Sequence, residues 1–127
     1  MSKPSALDET FAALRGMLAA QSTRLVVMVD KPGDYQVGSP TKKDRIGRRL
    51  YIAGVKTGKN YVSYHVMPVY LKPELLKSVP ASLKKRMQGK ACFNFTTVDR
   101  DQLKELAAVT KAGILAIRDV TLPWEQD

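Results

Sequence analysis

The reactive singletons of this 127-residue sequence are one imidazole and one thiol, His65 and Cys92. Both fall between Tyr61 and Phe95, in YVSYHVMPVYLKPELLKSVPASLKKRMQGKACFNF. A Cys–His pair can serve as nucleophile and base, or as two ligands of a soft metal. Neither residue stands in a recognised spacing motif. Structural zinc takes four ligands, so an all-Cys/His zinc site within one chain is excluded. Cys92 lies between Ala91 and Phe93 in a strand-like run, where a buried, inert thiol is the commoner outcome. His65 fits either a pocket wall or a surface hydrogen bond.

The second group with chemical potential is cationic. Lys84, Lys85 and Arg86 are consecutive, and Lys90 follows a Met-Gln-Gly step. Upstream, Lys42-Lys43-Asp44-Arg45 leads to Arg48 and Arg49. From Lys42 to Lys90 there are 13 Lys/Arg against two acids, a net of +11 within a chain whose overall charge is +9. A field this uneven attracts anions, whether nucleic acid, phosphorylated metabolites or acidic proteins. Tyr51, Tyr61, Tyr64 and Tyr70 are interleaved with these cations, and such a mixture can grip phosphates and stack bases. The alternative is a solvated basic surface, with Lys84 to Arg86 stabilised at a helix C-terminus by its dipole. Consecutive helical residues point about 100° apart, so this run makes no single patch unaided.

Other chemistries find no support. There is no GxxxxGK[ST] phosphate loop and no Gly-rich strand-to-helix turn of the dinucleotide type. Asp8, Glu9, Asp30 and Asp34 are the acidic groupings of the first half, and they fit caps and turns better than a converging set of hard-metal ligands. No cofactor and no metal residue is expected. No apolar run approaches the ~20 residues that span a bilayer, so no membrane association is expected. A lone Cys requires no oxidising compartment, and the expected location is the cytoplasm.

The elements that must position these residues follow from periodicity and turn chemistry. The length fits one domain over residues 1–127. A helix is predicted from Ser5 to Ala20, with Ser5 and Asp8 as a capping box and Leu7, Phe11, Leu14 and Leu18 on one face. Arg24 to Val29 predicts a buried strand, Asp30 to Gly33 a turn, and Tyr35 to Val37 a short returning strand. Gly38 to Arg49 predicts a long mobile loop. Leu50 to Lys56 and Tyr61 to Met67 predict a hairpin, with Val62, Tyr64 and Val66 on one face and His65 on the other. Pro68 ends that ladder. Short helices are predicted from Pro73 to Lys77 and from Ala81 to Met87, stopped by Gly89. A strand follows from Lys90 to Thr96. The last helix starts near Asp99, with Gln102 as capping partner, and buries Leu103, Leu106, Thr110, Ile114 and Ile117. This order predicts an α+β domain: an antiparallel sheet of about five strands packed against N- and C-terminal helices.

The pattern YVSYHVMPVY, PELL and LKKRMQGKACFNF, followed by TTVD and a long helix, resembles the YdhG-like family of small bacterial proteins of unknown function. The resemblance spans roughly Phe11 to Arg118 and is strongest from Tyr61 to Phe95. A Gly-Lys step running into an aromatic strand matches Gly89, Lys90, Phe93 and Phe95. The resemblance implies a frataxin-like sandwich of two helices on an antiparallel sheet. It also implies an alternative function, a frataxin-like intracellular iron chaperone, for which the first helix offers only Asp8 and Glu9.

The first expectation for function is a non-enzymatic binding module whose basic segment meets an anionic ligand or protein, or nucleic acid. Lys84, Lys85, Arg86, Lys90, Arg48 and Arg49 would contact phosphate or carboxylate. His65, Tyr64 and Asn94 would line an adjoining pocket.

Overall fold

The structure is a computed structural model that describes residues 6–71, 73–88 and 92–118. The chain begins with helix α1 (Ala6–Gln21) and then forms a meander of four antiparallel strands, β1 (Val26–Lys31), β2 (Asp34–Lys43), β3 (Arg49–Thr57) and β4 (Val62–Val66). A helical turn, α2 (Met67–Leu71), a 3-10 turn (Pro73–Ser78) and a short helix, α3 (Ala81–Lys84), lead into β5 (Cys92–Phe95). The long helix α4 (Arg100–Arg118) closes the described chain. Spatial and sequential strand order coincide, β1-β2-β3-β4-β5, with every neighbouring pair antiparallel. This is the α+β architecture expected from the sequence.

Helix α1 packs over β3 and β4, and α4 lies against α1 and the short helices. The helical side of the sheet is the core. Tyr35, Val37, Val55, Val62, Phe93 and Phe95 point into it, all at most 4% exposed, and Leu14, Leu18, Leu106 and Ile117 meet them from the helices. Burying a side chain of this size contributes roughly 1.5–3 kcal/mol relative to leaving it in water. Two hydrogen bonds tie the helices to the sheet. The Tyr64 hydroxyl bonds the Thr110 hydroxyl of α4, and Thr10 of α1 donates to the Thr96 carbonyl at 3.0 Å. Among the described residues no buried side-chain nitrogen or oxygen lacks a partner.

The capping box at α4 is reciprocal. The Asp99 backbone N–H donates to Gln102 Oε1 at 3.1 Å, and the Gln102 N–H donates to Asp99 Oδ1 at 2.7 Å. That contact satisfies two N–H groups otherwise left over at a helix start. Its counterpart at Ser5 lies outside the described residues, as does the Gly89 stop.

Three expectations are corrected. Residues 24–29 do not form a buried strand. Strand β1 runs from Val26 to Lys31 along the edge of the sheet, where Val27 and Met28 are 50% and 43% exposed. The helices cover the middle strands and leave this edge outside, so a β-branched run here measures strand propensity and not burial. The return strand is ten residues long, from Asp34 to Lys43, and not three. It takes up most of the expected loop, leaving only residues 44–48 as a turn. Gly38, Ser39 and Pro40 disguise it. Pro40 falls between the Gly38–Tyr51 and Lys43–Arg49 pairs, where the ladder is irregular and a missing N–H costs little. The remaining turn is held by Asp44, whose Oδ1 accepts from the backbone N–H groups of Ile46 and Arg48 at 3.0 and 2.9 Å.

The β1–β2 turn pivots on Pro32 and Gly33, and Gly33 has φ +76°. A Pro-then-Gly order with positive φ at the second position is what a type II turn requires. No described helix is long and apolar enough to cross a membrane.

Candidate functional site: the open face of the sheet

Strand alternation places a second set of side chains on the face away from α1 and α4. The pairing registers order them in rows. One row is Lys31, Asp34, Lys56, Ser63 and Asn94, each opposite the next. The neighbouring row is Val29, Gln36, Gly54, His65 and Cys92. A third holds Val26, Gly38 and Tyr51. A bulge in β3 lets Ile52 and Ala53 both enter the core while Tyr51 turns to the open face. Gly54 matters here because it has no side chain. The ends of Gln36 and Tyr51 converge on the space that a Cβ at this position would need.

His65 and Cys92 are cross-strand partners, with Nε2 and Sγ 3.6 Å apart. The thiol also lies 3.5 Å from Asn94 Oδ1, which accepts the Ser63 hydroxyl at 2.9 Å. Burial pushes the Cys92 thiol up, more than the Ser63 hydroxyl pulls it down. Burial also lowers His65. Both shifts favour neutral forms, so the pair carries no imidazolium–thiolate charge separation at pH 7. An activated thiolate needs the opposite, a thiol pKa depressed by a nearby cation. What the arrangement offers is a hydrogen-bonding row of thiol, imidazole, hydroxyl and amide. Burial likewise raises Tyr51, helped by Tyr64, Asp34 and Cys92, and keeps its hydroxyl a donor. Among the described residues no group of three His, Cys, Asp or Glu is placed to hold a metal ion.

The expected site residues separate. His65 and Asn94 do share the open face. Tyr64 does not line a pocket with them: it is fully buried on the core face, pointing the opposite way from its neighbour His65. Lys84, Lys85 and Arg86 are exposed at the end of α3. The chain after them runs along the outer edge of β5, where the Arg86 carbonyl accepts from the Asn94 N–H at 2.8 Å and Gln88 donates to the Cys92 carbonyl at 2.8 Å. Arg86 therefore extends the Lys31-to-Asn94 row by one position. Lys90 lies outside the described residues.

Arg48 and Arg49 are elsewhere. Arg48 pairs with Asp44 at 3.1 Å, and Arg49 donates to the Ser39 carbonyl at 2.7 Å. Seven strand positions separate Arg49 from Lys56, roughly 20 Å at the usual strand rise. Arg48 and Arg49 accordingly stand toward the other end of β3 from the row that reaches Arg86.

Gln36, Gly54, Lys56 and Ser63 belong to the face and were missed, as was the place of Tyr51 on it. The Thr57-to-Asn60 hairpin carries a signal for three of them, since its register puts Lys56 opposite Ser63 and Gly54 opposite His65. The others needed the β2 register, which the Gly38–Pro40 stretch hides. In comparisons with protein-family models, with curated proteins and with solved structures, nothing matches this chain.

Proposed function

We propose that this protein is a non-enzymatic binding module that receives an anionic ligand or partner on the open face of its sheet. One observation carries the reading: a single register row crosses all five strands with Lys31, Lys56, Ser63 and Asn94 on it, and it ends beside Arg86. Hydroxyl, amide and ammonium groups supply donors to phosphate or carboxylate oxygens. Asp34 is the one acid in the row, and it accepts from Gln36 Nε2 at 2.7 Å. The neutral Cys92–His65 pair supports binding over covalent chemistry.

The resemblance to the YdhG-like family belongs to this proposal, supported by two long helices on one face of an antiparallel sheet. Its iron-chaperone alternative draws less support. Asp8 lines a shallow depression with Asp34, but Lys31 and Lys56 line it too, and their charge opposes a cation.

Nucleic acid is the anion to test first, by fluorescence anisotropy of a labelled random oligonucleotide at low and near-physiological salt. Binding is expected to weaken steeply with salt and to fall in Lys56→Glu and in Lys84→Glu/Lys85→Glu. Binding unchanged by both variants would remove the open face as the site. No binding even at low salt would remove nucleic acid as the partner.

A further inference from the structure

The sequence interleaves tyrosines with its basic segment, and the fold sorts them. Tyr35 and Tyr64 are buried in the core. Tyr51 lies on the open face with its hydroxyl end over Gly54. Tyr61 differs from all three: it stands one residue before β4 and is 43% exposed. Strand alternation puts it on the same side as Ser63 and His65, which is the open face. Its ring lies beside Gly58 of the β3–β4 turn, which has no side chain to cover it. The donors of the long row stand next to it. Ser63 is two positions along the strand, roughly 7 Å away. Lys56 lies across from Ser63 on one side and Asn94 on the other, and Asp34 lies on the far side of Lys56. Lys59 is exposed in the turn itself. The Ser63 hydroxyl is directed to Asn94 Oδ1, which leaves the amide N–H groups of Asn94 as donors.

An exposed ring beside ammonium and amide groups selects its ligand. The ring offers a flat apolar face on which any base can stack, and the ammonium groups neutralise phosphates. Stacking on a side chain requires a base whose own face is free, which a duplex does not present. The duplex major groove admits one helix or a two-stranded ribbon, and the face of a five-stranded sheet is too broad to enter it. We infer that the open face binds single-stranded nucleic acid, with one base stacked on Tyr61 and its flanking phosphates at Lys56 and Lys59. This rests on the anion-binding reading of the same face and narrows it to one ligand class.

Anisotropy titrations of the full chain with a labelled mixed-sequence single strand, and with that strand annealed to its complement, test the inference. DNA and RNA versions of the strand tell the two sources apart, and saturable binding of either meets the expectation. The single strand should bind about tenfold more tightly than the duplex. Tyr61→Ala should weaken it about 5- to 150-fold, the range for one lost base stack, without changing the salt slope. Tyr61→Phe keeps the ring and should stay within about twofold of the parent chain. Lys56→Ala should instead lower the salt slope by about 0.7. Tyr61 is exposed, so its variants keep the fold, and circular dichroism checks this. Single-strand binding unchanged in Tyr61→Ala, or a duplex bound as tightly as the single strand, would overturn the inference and leave the open face as a general anion site. No binding of any strand at low salt would overturn it too. Heparin, a polyanion without bases, separates that failure from failure of the open-face reading: heparin binding weakened by Lys56→Glu keeps the reading, and no heparin binding removes it.

Discussion

Adjacent residues of one strand serve opposite ends of this protein's physics. Tyr64 points into the helices, is fully buried and ties the sheet to α4 through Thr110. His65, one residue on, points away, half-buried, beside a thiol and an amide. On β5 the same division separates Phe93 from Cys92. The helix-covered face is apolar, with its few polar groups paired internally. The open face is polar, with Gly54 left bare so that Gln36 and Tyr51 can converge. One face holds the fold together, and the other carries the polar rows. A two-layer α+β domain permits this because its helices cover one side of the sheet only.

Substitutions along one strand test that division most sharply. Phe93→Ala should destabilise by about 3–5 kcal/mol, because it removes a fully buried ring and leaves a cavity. Cys92→Ala, one residue away, should cost less than ~1 kcal/mol. Urea denaturation of both variants measures the difference, and equal losses would mean that the open face is structural too. A smaller effect is expected from Tyr64→Phe, about 1–3 kcal/mol, through the Thr110 hydroxyl left without its buried partner.

The smallest effects are the pH-dependent ones. Burial lowers His65 in the folded state, so the unfolded chain takes up the proton more readily. Stability from this group is therefore complete above its ordinary value near ~6.5 and declines as the pH falls below it. The midpoint of urea unfolding should drop between pH 7.5 and 5.5, and it should drop less in His65→Gln. A drop of equal size in the variant would assign the effect to other groups. Cys92 should react slowly with iodoacetamide at pH 7 in the folded protein and faster once denatured, since burial raises its pKa. Fast alkylation of the folded chain would reverse the assignment of a neutral thiol.

Much of the architecture was legible from local signals, and the losses have local causes. The Asp99–Gln102 box announced α4, and alternation from Val62 to Val66 separated Tyr64 from His65 correctly. Strand β2 was cut short because Gly38, Ser39 and Pro40 disfavour a strand on their own, and pairing with β3 overrides them. Strand β1 was read as buried because an apolar β-branched run does not report whether a neighbour will cover it. The candidate site was legible only in part. His65 and Asn94 were named for their chemistry, but Tyr64 was drawn in by proximity along the chain, where the strand period of two sends it to the opposite face.

The sequence by itself determined the kinds of elements, most of their order, the basic segment and the placement of its one imidazole and one thiol in strands. Those are properties of short windows, in which propensity, periodicity and turn chemistry act over a few residues. Only the tertiary structure decided that His65 and Cys92 are cross-strand partners, that Lys31, Lys56 and Asn94 share a row, and that Arg48 and Arg49 stand apart from Lys84 to Arg86. These are relations between strands and helices far apart in the chain. Register and helix packing set them, and both depend on which apolar faces find each other when the core forms.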